Sequence, residues 1–221
     1  GDFDHFANNF LSWRNFISES TVKNIDLLRE PISPFVLKRL REDALDLPPL
    51  IEQNLTVELD LNHRKDYDTI ESGTINEIKN RPDYNSTVIL TKLTKLRQMV
   101  SCHESFTERK TPSVKLEACL DIIEDSRNPV VVFSNFLSPI EFLSKYLTDR
   151  KILYGLHTGP KSEQERKESR DKLNAKEIKV LLATTQTGGE GITLTGADTV
   201  IFIDLPWTWA SYFQAIGRLY R

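Results

Sequence analysis

Cysteine is nearly absent: the 221 residues hold two, Cys102 and Cys119, which excludes a disulfide-framed fold. With 9 glycines and 10 prolines the chain is neither collagen-like nor of low complexity. No apolar run comes near the roughly 20 residues that a membrane-spanning helix needs. The N-terminal Gly1-Asp2-Phe3-Asp4-His5 has neither the basic start nor the apolar stretch of an export signal. These absences predict an intracellular protein with no membrane partner. Charge of one sign is not in large excess either. Lys and Arg number 29 against 32 Asp and Glu, for a formal charge of -3, so the bulk basic footprint of a non-specific nucleic-acid binder is missing. A local basic surface stays open. The 39% hydrophobic content is that of an ordinary folded chain, and at this length a single core forms without staples.

Two kinds of pattern divide the chain. Residues 1–110 read as a mainly helical segment. Phe3 to Ile17 carry Phe, Leu and Trp at helical spacing. Ile32 to Leu40 read as a short apolar helix entered through Pro31 and Pro34, and Pro48-Pro49 forbids its continuation. Leu55-Thr56-Val57-Glu58-Leu59 alternates as one strand would. Leu90, Leu93, Leu96 and Val100 share one helix stripe, with Lys92 and Lys95 off it and Arg97 at its edge.

Residues 111–221 have a regular grammar. Thr111-Pro112 predicts a helix start with Leu116, Leu120 and Ile123 inward. Ser138-Pro139-Ile140-Glu141 and Ser162-Glu163-Gln164-Glu165 predict two capping boxes. Between the helices stand apolar runs without polar alternation: Val130 to Phe133, Ile152 to Tyr154, Ile178 to Ala183 and Val200 to Ile203. Such runs separated by helices predict an α/β domain, a parallel sheet covered by helices on both faces.

In open parallel sheets ligands bind where loops leave the carboxyl ends of the strands. Three loops there carry polar chemistry. Ser134-Asn135 follows the first run and suits either a phosphate contact or a plain turn. Thr184-Thr185-Gln186-Thr187-Gly188-Gly189-Glu190-Gly191 combines hydroxyls with three glycines, which let backbone N–H groups approach an anion. Asp204 with Pro206-Trp207 follows the last run, and a final helix is expected to hold Gln214, Gly217, Arg218 and Arg221. No Gly-x-x-x-x-Gly-Lys-Ser/Thr occurs, nor an Asp-Glu pair fit for a Walker B. His157 reads as a loop hydrogen-bonder, and Cys102, His103 and Cys119 lack paired metal-ligand spacing.

Taken in order, these segments resemble the C-terminal RecA-like lobe of superfamily-two helicases, and more closely that of Snf-type (switch/sucrose-nonfermenting) DNA-translocating ATPases. Val130 to Phe136 is similar to motif IV and Val180 to Leu194 to motif V. Asp204-Leu205-Pro206-Trp207 resembles the family's Asp-x-x-Trp, and Gln214-Ala215-Ile216-Gly217-Arg218-Leu219-Tyr220-Arg221 matches motif VI. Upstream, Pro34 to Arg39 with Leu47-Pro48-Pro49 resembles the segment between lobes, and Leu93 to Gln98 with Cys102-His103 a helix preceding the second lobe. The chain departs from the family at Trp207-Thr208-Trp209, where Trp-Asn-Pro is usual, and at Gln186, near which a basic residue is common.

The resemblance implies a fragment of a two-lobe motor, ending close after motif VI, with ATP and Mg²⁺ held mainly by an N-terminal RecA-like lobe. Arg218 and Arg221 are then the arginine fingers, while Gln214 and Gly191 position the nucleotide. Ser134, Asn135, Thr184, Thr185, Gly188 and Gly189 bond to phosphates of double-stranded DNA, contacts that carry no sequence information. Lys92 and Lys95 are outlying phosphate contacts or a solvated face. The fragment alone is expected to hydrolyse no ATP and to self-associate through its lobe-facing surface. It is nuclear if eukaryotic, cytoplasmic if bacterial or phage. The alternatives are a non-catalytic helicase-like module that binds DNA or a partner protein, and an RNA helicase.

Overall fold

The structure, a computed structural model, describes residues 11–13, 20–22, 24–36, 49–80, 86–107, 111–188 and 193–220. Residues 1–48 form one compact unit and residues 49–221 a second.

In the first unit, β1 (Leu11–Trp13) pairs antiparallel with β2 (Ser20–Val22), Trp13 facing Ser20 across the ladder. Leu11–Trp13 is therefore a strand where a helix was expected. Three residues reading apolar-polar-apolar satisfy a period of two, and helical spacing cannot be told from it over so short a stretch. The rest of the expected Phe3–Ile17 helix lies outside the described residues. Helix α1 (Ile25–Ile32) contains Pro31 in its last turn instead of starting there, and a 3-10 turn, Ser33–Phe35, follows it. Residues 37–40 lie outside the description.

The second unit begins with residues 49–60 in no regular structure. Leu55 is 65% exposed, and the alternating segment finds no partner strand among the described residues, so it stays irregular. Helices α2 (Leu61–Asn80) and α3 (Ser86–Ser101) form an antiparallel hairpin. Lys92 Nζ meets Glu77 Oε2 at 2.9 Å near the hairpin's tip. At its base His63 Nε2 lies 3.0 Å from the Met99 carbonyl. Of the expected α3 stripe only Leu96 is buried, Val100 is half-buried, and Leu90 and Leu93 are exposed, while Met99, off that stripe, faces inward. A 3-10 turn, His103–Phe106, follows α3 and leads to the sheet domain.

There, helix α4 (Val114–Asp125) precedes β3 (Val130–Ser134), α5 (Leu137–Asp149), β4 (Tyr154–His157), α6 (Glu163–Asn174), β5 (Val180–Thr184), the single turn α7 (Thr185–Gly188), β6 (Thr199–Phe202) and α8 (Trp209–Ile216). The four strands are parallel in the order β4-β5-β3-β6. Because side chains alternate along a strand, both faces must be apolar in a doubly covered sheet. Val130, Val132, Val180 and Leu182 pack with Leu116, Leu120 and Ile123 of α4 and Ile140, Leu143 and Leu147 of α5. Val131, Phe133, Leu181 and Ala183 pack on the other face with Leu173 of α6 and Ala215 of α8. The expected fold, a RecA-like sheet with helices on both faces, is the one observed.

Local starts differ in detail. The Ser162 capping box forms: its hydroxyl accepts the Glu165 N–H, and the Glu165 carboxylate accepts the Ser162 N–H at 2.9 Å. The Ser138 box does not, because the helix has already begun at Leu137 with Phe136 as its cap. Likewise α4 starts at Val114, two residues beyond the expected Pro112.

Candidate functional site

The strand ends gather the polar loops on one edge. Ser134 and Thr184 are register partners at the carboxyl ends of β3 and β5, which sets their backbones about 4.8 Å apart. The neighbouring β6 pairs with β3 up to Phe202 facing Phe133, and the Ile203 N–H still donates to the Phe133 carbonyl at 3.0 Å. Asp204 then stands beside Ser134.

Asp204 is 7% exposed, and a buried carboxylate is costly unless donors surround it. Four meet it. The Ser134 hydroxyl donates to Oδ2 at 2.6 Å, the Asn135 N–H to Oδ1 at 2.8 Å, and the Asn135 carboxamide also donates to Oδ1. Lys115, on α4, lies in its field: burial lowers the lysine pKa and Asp204 opposes that shift. Ser134 Oγ accepts in turn from the Phe136 N–H at 3.0 Å. Asp204 therefore does not cap the next helix. That task falls to Thr208, whose hydroxyl accepts the Ser211 N–H at 3.2 Å.

Ser134 is fully buried, with its hydroxyl proton committed to Asp204. Asn135 is half-buried, its amide shared between Asp204 and the Leu205 carbonyl at 2.8 Å. At β5, Thr184 Oγ1 lies 2.8 Å from Thr187 Oγ1, and Thr187 donates to the His157 carbonyl of β4 at 2.7 Å. The threonines thus clip the α7 turn to two strand ends. Thr185 is buried, yet its hydroxyl has no hydrogen-bond partner among the described residues. Gly188 closes the turn. Gly189, Gly191 and Arg221 lie outside the described residues.

Helix α8 packs against α7. Gln214 is exposed on α8. Gly217 and Arg218 lie just past its C-terminus, not within the helix as expected, in a turn where the Arg218 N–H donates to Ala215 at 3.1 Å. The Leu194 N–H, leaving the glycine loop, donates to the Arg218 carbonyl at 2.9 Å. That bond fixes where the guanidinium stem departs. A guanidinium and a carboxamide four residues apart are donors suited to a nucleotide's phosphates.

Sequence reasoning missed two participants. Thr187 is the clip between β4 and β5, and Arg97 of α3 reaches across to donate to the Leu205 carbonyl with its guanidinium 3.9 Å over the Trp207 ring. A threonine three residues past the one that ends β5 signalled the first. For Arg97 the only signal was its place at the edge of the α3 stripe.

Comparison with known proteins places these features. The helicase conserved C-terminal domain matches residues 114–221. An uncharacterized ATP-dependent helicase of Mycoplasma pneumoniae is 34% identical over 211 residues, covering 93% of this chain and 20% of that protein. The CHD3-type chromatin-remodeling factor CHR7 of Arabidopsis thaliana is 27% identical over 240 residues, 98% of this chain and 20% of its own length. Among solved structures, the Sulfolobus solfataricus SWI2/SNF2 ATPase core domain superposes with a TM-score of 0.67 at 25% identity, over 89% of this chain and 44% of that one. The chain spans about a fifth of the length of these curated relatives.

Proposed function

Because this chain belongs to the Snf-type superfamily-two helicase-like ATPases as a C-terminal RecA-like lobe, we propose that it is the second half of an ATP-dependent double-stranded-DNA translocase. The observation that carries the reading is the single edge on which β3, β5 and β6 end, with Asn135, Thr184, Thr185 and the α7 turn together. Neutral donors on such an edge suit phosphate contacts that are made and released, and these contacts read no base sequence. Ser134 serves this edge from behind, by holding Asp204. Thr185 offers a buried hydroxyl still free to bond. Gly188 and Gly189 supply backbone N–H groups.

Arg218 and Arg221 act on the γ-phosphate as charge develops, and Gln214 and Gly191 position the nucleotide. ATP supplies the transferred phosphoryl group, with its Mg²⁺ and phosphate cradle provided by an N-terminal RecA-like partner lobe. This chain by itself hydrolyses no ATP, since it has no Walker A or Walker B sequence. Residues 1–110 serve as the accessory segment between the lobes. No described helix is long and apolar enough to cross a membrane, and the motor works where its DNA is, in a nucleus or a bacterial cytoplasm.

The test is ATP hydrolysis by the full-length gene product with duplex DNA, single-stranded DNA or RNA added in turn. Duplex DNA is expected to stimulate most. Arg218→Ala is expected to lower the stimulated rate by about 10³-fold or more, as loss of an arginine finger does. Unchanged hydrolysis in Arg218→Ala sinks the finger assignment. Hydrolysis stimulated by RNA alone sinks the translocase reading, and no hydrolysis at all favours a binding module.

A further inference from the structure

Helix α3 belongs to the hairpin, outside the sheet domain, yet one of its side chains ends inside the strand-end network. Arg97 donates from Nη2 to the Leu205 carbonyl. The same carbonyl accepts the Asn135 carboxamide at 2.8 Å. The flat face of the guanidinium covers Trp207 at 3.9 Å from the ring centroid. Three residues upstream of the indole, Asp204 receives Ser134 and Asn135. Arg97 thus grips the β6–α8 loop at two points, Leu205 and Trp207, and Asn135 holds the same loop at Asp204 and Leu205.

We infer that Arg97 is a positioning residue: it fixes the β6–α8 loop and, through the Leu205 carbonyl and Asn135, the edge on which β3 ends. The α2–α3 hairpin is by this contact an input to that edge. This rests on the proposed translocase reading for its functional consequence, but not for its structural one. Three features carry it. The guanidinium is planar, so it can donate in its plane while stacking on an aromatic face, which a lysine ammonium cannot do in one pose. Trp207 is 58% exposed, so neighbouring packing alone does not hold the indole, and the cation over its face is a principal restraint. Asn135 has its donors divided between Asp204 and Leu205, so a shift of the Leu205 carbonyl must redirect it. Lys115 adds positive charge on the same side, its pKa lowered first by burial and further by Arg97.

The test uses the full-length protein with Arg97→Lys, Arg97→Ala and Trp207→Leu. Its first arm is amide hydrogen exchange, which does not depend on activity. The Asn135 and Phe136 amides, bonded to Asp204 and the Ser134 hydroxyl, are expected to exchange about tenfold faster in all three variants, a factor equivalent to ~1.4 kcal/mol. The β3 and β5 core amides stay unchanged. Unchanged exchange at Asn135 and Phe136 overturns the inference, and faster exchange throughout the sheet overturns it too, since Arg97 would then be a general structural prop.

The second arm is duplex-stimulated ATP hydrolysis. The half-saturating DNA concentration is expected to rise about tenfold on loss of one stacked cation and its hydrogen bond. The rate at saturating DNA should change far less, and Arg97→Lys should recover little despite its charge. Faster exchange with an unaltered DNA response overturns the link to the grip. A wild-type protein that no nucleic acid stimulates sinks the translocase reading, while the exchange arm still decides whether Arg97 positions the loop.

Discussion

At the scale of single residues, burial sets the chemistry of the two thiols. Burial pushes Cys119 up to about 12, and Cys102 likewise, with Glu104 adding to the rise and the Ser105 hydrogen bonds opposing it. The thiolate is the reactive species, so native protein at pH 8 is expected to leave both sulfurs unmodified by an aromatic disulfide reagent. Denatured protein should release two equivalents of the reporter thiol. One equivalent released rapidly under native conditions would contradict the buried placement of one cysteine. Residue identity at the strand ends was legible for a related reason. A polar pair such as Ser134-Asn135 directly after four buried apolar residues must leave the sheet there. Its bonding was not legible, because the acceptor, Asp204, is 70 residues from Ser134, and only the pairing of β3 with β6 brings them together.

At the scale of elements, a close junction joins α6 to the turn before β6. The Asn174 carboxamide donates to the Thr193 carbonyl at 3.1 Å, and its oxygen accepts the Gly196 N–H at 3.1 Å. A Cβ at Gly196 would stand 2.2 Å from the Leu173 carbonyl oxygen and 2.6 Å from Asn174 Cα, both backbone atoms that cannot rotate away. Gly196→Ala should therefore cost at least about 2 kcal/mol, toward the upper part of the range for overpacking. Gly159→Ala is the control: nothing lies within 4 Å of its added methyl, and the loss should stay below about 0.5 kcal/mol. Urea midpoints of the two variants separate the cases, and equal midpoints would show that the α6 junction yields. The strands β3 and β5 were readable in the sequence because they are buried from both sides, so their short apolar runs between helix signals carry no polar alternation. The hairpin stripe misled: apolar residues at helical spacing record a face, not a partner, and Leu90 and Leu93 extend beyond the packed base of α3.

At the scale of the whole molecule, two buried imidazoles couple stability to pH. His63 stacks on His103 with ring centroids 4.2 Å apart and parallel planes. Burial is the chief cause that lowers the His63 pKa below its usual 6.5. His103 lowers it further, and the Met99 carbonyl, Asp60 and Glu104 pull it back. His157, at the end of β4, is lowered first by burial; the carbonyl of Arg166 opposes the shift, and the charges of Arg166 and Arg170 reinforce it. A histidine whose folded pKa lies below its unfolded value binds fewer protons folded than unfolded between the two, so stability rises with pH across that window. The fold is therefore expected to be most secure above about pH 7 and to weaken as pH falls below 6.5. Each histidine contributes up to about 1.4 kcal/mol per pH unit inside its window. Urea midpoints at pH 5.5 and 7.5 measure the slope, and His157→Gln should reduce it by the share of one residue. The two sites lie at opposite features of the second unit, the hairpin base and the end of β4, so their contributions should add. A slope of zero would mean that neither imidazole's folded pKa is displaced from its unfolded value, with Asp60 and Glu104 cancelling burial and the neighbouring ring at the hairpin base, and a stability that falls with rising pH would mean that they outweigh it.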